Sequence, residues 1–448
     1  MGDGLTMATR NDNAVGSYDD RLRELGGWID RTPLDPASNH AARRLLLDTL
    51  ACAIAGLRKV DLQYLSGPGG SAPFLGTGTT LGPAEAAYVV ALAACADEAC
   101  EGLAFAHGRP GLHAVAAAIG AALRVDADLD ALLNAIAAGF EFSGRMGALF
   151  RAKPGIHVDG TWGLVASTVA ARRLYGHADG DALAEAASAA LCQMLASLYL
   201  PVAQGADVRN SYSAHAASAG VLLAASLATG MTVPANAAEA AGGFAMNRDD
   251  AAWLEPGRHL LLEGYLKPYP SVRHTHYGVE AARDWRRAHS GTPTGDIAAV
   301  TLEIYPEAVT YCGNRAPVSA IMAQFSLSYT LAYALAHGDL TPAAYEAAAL
   351  NGPEITALER LIQIRPVEAF GANGQRRARL NVESDATTWT MEVDQVPGDA
   401  AQPLTEQELI AKVRTYCTDR LGAARTEKLI QDMMNGPGSQ PVSALLQP

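Results

Sequence analysis

The chain runs to 448 residues, 49% of them hydrophobic and 18% charged, which is enough for more than one domain and excludes a disordered or fibrous protein. Aromatics make up only 6%, and Ala and Gly carry much of the apolar count, a composition suited to closely packed helices. With 34 basic and 47 acidic side chains the net charge is −13, which repels phosphate and argues against a nucleic-acid or anionic-membrane partner.

The opening MGDGLTMATRNDN is polar and has no apolar run, so no secretory leader is read and a cytoplasmic location is expected. Gly2 and Thr6 fit a myristoylation pattern that six residues meet often by chance. From Asp19 to Gly264 the sequence predicts helix after helix. HAARRLLLDTLACAIAGL, from His40, has apolar residues on a helical period and stops at Gly56. The loop SGPGGSAPFLGTGTTLGP follows; its Gly-x-Gly lacks a preceding strand and a Lys-Ser/Thr, so it reads as a connection, not a phosphate cradle. The next helix starts near Pro83 with AEAAYVVALAACADEA. HAVAAAIGAALRV, DLDALLNAIAAGFEFSGRM, GTWGLVASTVAARRLYG, DALAEAASAALCQMLASLYL and AHAASAGVLLAASLATG follow as helices. Gly176 and Gly230 stand at helix ends where positive φ is needed. Ala186 to Ala203 is the longest apolar run, but Ser188, Cys192, Gln193, Ser197 and Pro201 interrupt it, so it predicts a buried helix and not a membrane span. The acids at 126 and 128, 179 and 181, and 249 and 250 read as turn and cap residues, and His177, His289 and His337 as helix-end histidines.

The pattern changes near Lys267. IAAVTLEIYPEAV, from Ile297, alternates and is rich in β-branched residues, which predicts a strand. VSAIMAQFSLSYTLAYALAHG predicts a long helix, and LIQIRPVE, ARLNVES and TWTMEVD predict strands, the last two a hairpin across Asp385-Ala386-Thr387. Thr405 with Glu408 makes a capping box that opens a final helical region. The expected organisation is a helical part over 1–266, an α+β part over 267–396, and C-terminal helices over 397–448 that return to the first part, because two short helices make no core alone. Six cysteines lie without a CxxC pair, five in apolar or helical surroundings, and read as reduced thiols. His274 and His276 would share one face of a strand, yet no third ligand accompanies them, so no metal site is expected.

Four segments carry chemistry. GRPGLHAVAAAIGAAL puts His113 at the opening of a helix, and KPGIHVDGTWGLVASTVAARRLYG puts His157 just before one. A histidine at such a tip is expected to be exposed, with its pKa pushed down by the positive helix end. LKPYPSVRHTHYGVEAA crowds Lys267, Arg273, His274 and His276 around prolines, and YCGNRAPVSAIMAQF sets Tyr311, Asn314 and Arg315 before a helix. In this order, and together with LLLDTLACAIAGL and SLSYTLAYALAHG, these segments resemble the MmgE/PrpD family over nearly the whole chain. That family includes 2-methylcitrate dehydratase, cis-aconitate decarboxylase and iminodisuccinate epimerase.

The resemblance implies a mainly α protein: an all-helical domain built from both chain ends, with an inserted α+β lid. It also implies a homodimer that needs no metal or other cofactor. Carried over residue by residue, it makes His113, His157, Lys267 and Tyr311 the catalytic candidates. Asp97, Glu98 and Glu101 stand at the family's acidic loop, where members usually have paired Asp followed by Thr and then His-Pro. Here Pro110 precedes His113, so His107 competes with His113 for the same role. Arg209 keeps a cation where tricarboxylate-type members have lysine, but Tyr212 replaces a histidine. Arg209, Tyr212, Arg273, His274 and Arg315 are candidate substrate contacts, the arginines as carboxylate forks. The family reactions share a proton transfer next to a carboxylate or imine, for which a near-neutral imidazole, an ammonium and a phenol are suitable groups. The leading expectation is therefore a dehydratase or decarboxylase on a small carboxylic acid. The alternatives are an epimerase or isomerase of an amino- or imino-dicarboxylate, and a helical scaffold without catalysis.

Overall fold

A computed structural model describes residues 17–63, 65, 72–73, 77, 79–176, 178–242, 246–372, 376–384 and 387–446. The myristoylation pattern, His177, most of the Gly/Pro/Ser loop, and Asp385 and Ala386 of the hairpin turn lie outside these residues.

The protein is mainly α. Helices Pro36–Gly56, Pro83–Cys95, Pro110–Val125, Leu129–Leu149, Gly163–Leu174 and Ser211–Ala228 pack together where the sequence has its Ala-rich stripes. Small residues permit the close approach: a Cβ on Gly139 would lie 2.5 Å from the Ala166 carbonyl, and one on Gly220 2.3 Å from Ser167 Cβ. Their buried leucines, valines and alanines form one continuous core. Tyr18–Arg31 and Gly180–Leu191 add a neighbouring core around Phe142, Trp162 and Leu183. Gly176 and Gly230 have φ of 71° and 93°, as the helix ends require. Asp128 and Asp179 cap helices by accepting from Ala131 N and Ala182 N.

A four-stranded sheet lies C-terminal to these helices, in the order Ile362–Pro366, Ile297–Ile304, Ala378–Ser384, Thr388–Val393. The first pair is parallel and the other two are antiparallel, with Val382 facing Val300 and Leu380 facing Leu302. The hairpin is present as expected. Alternation buries Val300, Leu302 and Ile304 against the His276–Ala288 and Leu327–His337 helices, which form a separate apolar core. Glu406–Leu421, opened by the Thr405–Glu408 capping box, and Ala423–Asn435 then return to Pro36–Gly56.

Three expected elements differ. The long buried helix over 186–203 is not formed: the helix ends at Leu191, and Ser197–Leu198 pairs with Ile156–His157 before a short helix, Leu200–Gln204. Leu198 and Leu200 are more than half exposed, so this apolar run faces outward past the break at Cys192–Gln193. The helix expected from Val318 to Gly338 is two, Ala320–Gln324 and Leu327–His337, because Ser326 turns its hydroxyl to cap the second at Tyr329 N and to donate to the Asn314 carbonyl. His274 and His276 are not on a strand: a 3₁₀ turn over Arg273–Thr275 leads into the His276–Ala288 helix. Among the described residues, no helix is long and apolar enough to cross a membrane.

Candidate active site

Five buried ionic side chains meet where the helix tips and the Lys267 segment come together. The acidic loop follows the Pro83–Cys95 helix, and Glu98 takes a left-handed conformation there, φ 52°. Its Oε1 accepts from Lys267 Nζ at 2.7 Å, and its Oε2 is ion-paired with Arg209 at 2.7 Å, with Arg109 3.5 Å away. Arg109 and Arg209 also hold Asp159, Arg209 at 3.4 Å. All five groups are at most 7% exposed. Burial alone would raise the Glu98 carboxyl, but Arg109, Arg209 and Lys267 hold it well below the usual carboxylate range. Burial pushes the Lys267 ammonium down against the pull of Glu98. Cys95 Sγ accepts from both arginines, so a buried thiol also belongs to this cluster.

His157 adjoins the cluster. The Asp159 backbone N–H donates to its Nδ1 at 3.0 Å, and the Asp159 carboxylate lies 3.8 Å from the same nitrogen. Burial pushes the imidazole down to about 4, overcoming the Asp159 carboxylate. With Nδ1 accepting, the neutral ring carries its proton on Nε2. Tyr199 stacks on the ring at 5.8 Å and Tyr212 meets its edge at 5.6 Å. Tyr199 in turn packs against Tyr311, and Tyr311 stacks on His274 at 5.8 Å. Residues far apart in sequence thus form one aromatic wall beside the ion cluster. Tyr311 is 44% exposed and forms its open end.

The remaining candidates are spread around this centre. His113 is not at an exposed tip: it is 1% exposed in the first turn of Pro110–Val125, with Nδ1 2.8 Å from the Arg109 carbonyl and Nε2 without a partner. Its ring lies against Gly163, where an added Cβ would come within 2.4 Å. Its pKa is lowered, chiefly by burial. Asp97 points the other way from Glu98 and is clamped by Arg58 (2.7 Å) and Lys59 (2.8 Å). Glu101 is buried and accepts from Leu112 N at 2.8 Å. Tyr212 donates its hydroxyl to the Leu198 carbonyl at 3.0 Å. His274 shares a 2.7 Å hydrogen bond with the Tyr305 hydroxyl. Arg273 bonds Asp399 and the carbonyls of Val396 and Pro397. Arg315 lies away from the cluster, donating to the carbonyls of Glu359 and Ile362. His107 and Arg273 line a separate cavity of about 930 Å³, with Tyr265, Tyr305 and Arg376.

Arg109, Asp159 and Tyr199 were not among the residues singled out from sequence. Asp159 stands two residues after His157, a spacing that could have flagged a carboxylate beside the imidazole. Arg109, which precedes Pro110 where the helix opens, could have been read as a buried cation. Nothing local marks Tyr199. Among the described residues, no group of three His, Cys, Asp or Glu side chains is placed to hold a metal ion.

The histidines set a pH dependence. Burial pushes His157 to about 4 and His274 to about 3, and lowers His107, His113 and His276 as well. Each binds its proton more readily in the unfolded chain, so each contributes stability that is present above about 6.5 and lost as the pH falls toward its folded value. The loss is about 1.4 kcal/mol per pH unit for a proton held only by the unfolded state. Glu101, pushed up by burial to about 7, and Asp48, also raised, act in the opposite sense: their contribution is lost as the pH rises. Five histidines outweigh two carboxyls. The melting temperature is expected to fall steadily from pH 6.5 to 4, the histidines outweighing Glu101 and Asp48 across that window; a flat or rising melting temperature there would contradict this.

Residues 23–249 match the family model described as the MmgE/PrpD N-terminal domain, and residues 269–435 match the MmgE/PrpD C-terminal domain. Among curated proteins, none matched the chain.

Proposed function

The chain belongs to the MmgE/PrpD family, whose members are dehydratases and related enzymes, and on that premise we propose that it is a cofactor-independent lyase. It takes a small hydroxy acid, removes the proton next to a carboxylate and releases the hydroxyl as water. The observation that carries this reading is the state of His157: neutral, with Nδ1 occupied by the Asp159 N–H and the proton on the other nitrogen, beside a cluster of cations.

In this reading the neutral His157 hydrogen-bonds the leaving hydroxyl through Nε2–H and keeps its own proton, and the aromatic wall of Tyr199, Tyr212 and Tyr311 keeps water away from it. Lys267, its pKa lowered by burial, reacts as the neutral amine: it takes the carbon-bound proton, balances the enolate as the ammonium, and passes that proton to the departing hydroxyl, which leaves as water. Arg209 and Arg109 turn toward the substrate carboxylate. Once Lys267 has taken that proton, the cluster holds three cations, Arg109, Arg209 and Lys267, against the two carboxylates of Glu98 and Asp159. One net positive charge favours an acid with one or two carboxylates over a tricarboxylate. Residues 267–396 act as the lid over a helical base formed by 1–266 and 397–448, and the working form is a cytoplasmic homodimer.

A second reading, an epimerase of an amino- or imino-dicarboxylate, is favoured by Tyr212, whose hydroxyl is already engaged by the Leu198 carbonyl and gives no second acid for a leaving group. Proton NMR in D₂O on the purified protein with a panel of hydroxy and amino diacids separates the two. Elimination is expected, seen as new olefinic signals while the substrate signals decline. Deuterium at one carbon without an olefin would replace the lyase by the epimerase, and no change in any acid of the panel would overturn both.

A further inference from the structure

Lys412 lies on the Glu406–Leu421 helix and is 7% exposed. Its Nζ donates to Asp48 Oδ1 at 2.6 Å, to the Ala99 carbonyl at 2.9 Å and to the Lys267 carbonyl at 2.8 Å. An ammonium has three N–H donors, so every one is used. Two of the acceptors are main-chain atoms of the segments that meet in the Glu98–Lys267 ion pair. Ala99 follows Glu98, and the third acceptor belongs to Lys267 itself. From the other side, Lys267 Nζ reaches back to the Glu98 carbonyl at 2.9 Å as well as to its carboxylate. The two strands of backbone are therefore tied twice, once by each lysine.

This tie bears on a strained residue. Glu98 holds a positive φ, which costs a side chain other than glycine on the order of 1 kcal/mol and persists only where its flanks are held. The choice of residue is also informative. The chain has only five lysines, at 59, 153, 267, 412 and 428, and uses arginine for most of its cations. A buried tetrahedral ammonium satisfies three acceptors from three directions, whereas a planar guanidinium of greater bulk does not. Asp48, from the Pro36–Gly56 helix, supplies the counter-charge and is itself fully buried.

We propose that Lys412 is a positioning residue: seated on Asp48, it joins the Ala99 and Lys267 carbonyls and so sets where the Lys267 ammonium stands against Glu98. Its kinetic consequence rests on the lyase reading above, but the placement of Lys267 is measurable without a substrate.

Lys412→Met alone strands Asp48 in the interior and is expected to destabilise the fold, so the informative variant is Lys412→Met with Asp48→Asn, which removes both charges. Reductive methylation with ¹³C-formaldehyde reports each lysine separately by NMR, five in the parent and four in the double variant. In the double variant the melting temperature is expected to stay near that of the parent, while Lys267 is methylated about tenfold faster relative to exposed Lys428. With an acid identified by the D₂O assay, kcat is expected to fall about 10- to 100-fold with little change in KM. Parental Lys267 reactivity in the folded double variant would overturn the proposal. Lys412→Arg guards against a double variant that fails to fold: it keeps the charge on Asp48 but not the threefold grip. Faster Lys267 methylation in Lys412→Arg supports positioning, and parental reactivity there means that charge alone suffices and overturns it. Freed Lys267 with undiminished turnover would uphold the placement by Lys412 while removing Lys267, and with it the lyase mechanism drawn above.

Discussion

Replacing His157 by asparagine is expected to lower turnover by about 10²- to 10⁴-fold, the range for losing a positioned hydrogen-bond donor to a leaving group in proton transfer. The sequence alone suggests that this change costs little stability, because His157 stands between glycines and outside a helix. The structure revises that figure upward. His157 is only 5% exposed and packs against the rings of Tyr199 and Tyr212, so roughly 1–3 kcal/mol of stability goes with it. Asparagine keeps a polar atom to accept from the Asp159 N–H, which limits the loss. Turnover per folded molecule and the melting temperature, measured on one preparation, separate the two effects. Turnover equal to that of the parent would take His157 out of the mechanism.

The largest loss of stability is expected from Asp159→Asn. Asp159 is 2% exposed and shares Arg109 and Arg209 with Glu98, so the change leaves three buried cations around a single carboxylate. Removing one member of such a buried network costs about 3–5 kcal/mol, because the remaining charges stay desolvated. Asp97→Asn provides the control. Asp97 is as deeply buried, but its partners Arg58 and Lys59 are 35% and 32% exposed and regain water when released. Its loss is expected to cost about 1–2 kcal/mol, discounted for that exposure. Urea melts of the two variants check the order, and an Asp97 variant less stable than the Asp159 variant would reverse the argument.

How much of this was legible beforehand varies with the physics involved. The helices were legible because Ala-rich stripes on a helical period mark them, and the strand Ile297–Ile304 because its buried positions alternate. The break after Leu191 was not, since an apolar run looks the same whether it ends in the core or at the surface. His157 and Lys267 stood out because polar residues interrupt apolar patterns there. What could not be read was pairing. Glu98 and Asp97 are neighbours in sequence, yet a left-handed backbone at Glu98 sends one carboxylate to Lys267 and Arg209 and the other to Arg58 and Lys59. His113 was expected at an open tip because it begins a helix; the packing of the Gly163 helix over its ring buries it instead. Arg109 and Asp159 lie 50 residues apart and only tertiary structure brings them together.

The return of the last helices onto Pro36–Gly56 has a consequence for how the protein is made. The contacts of Lys412 span 364, 313 and 145 residues of chain. During synthesis, Asp48, Ala99 and Lys267 all leave the ribosome well before Lys412 does. Until then a buried carboxylate and two backbone carbonyls wait without their donor, and the Glu98 segment is tied to Lys267 by one lysine instead of two. The early helices can gather before then, since they pack on one another within residues 18–228, but the centre of the molecule stays unfinished until the Glu406–Leu421 helix arrives. Such long-range closure is slow and exposes apolar surface in the interval, which makes the nascent chain dependent on protection from aggregation.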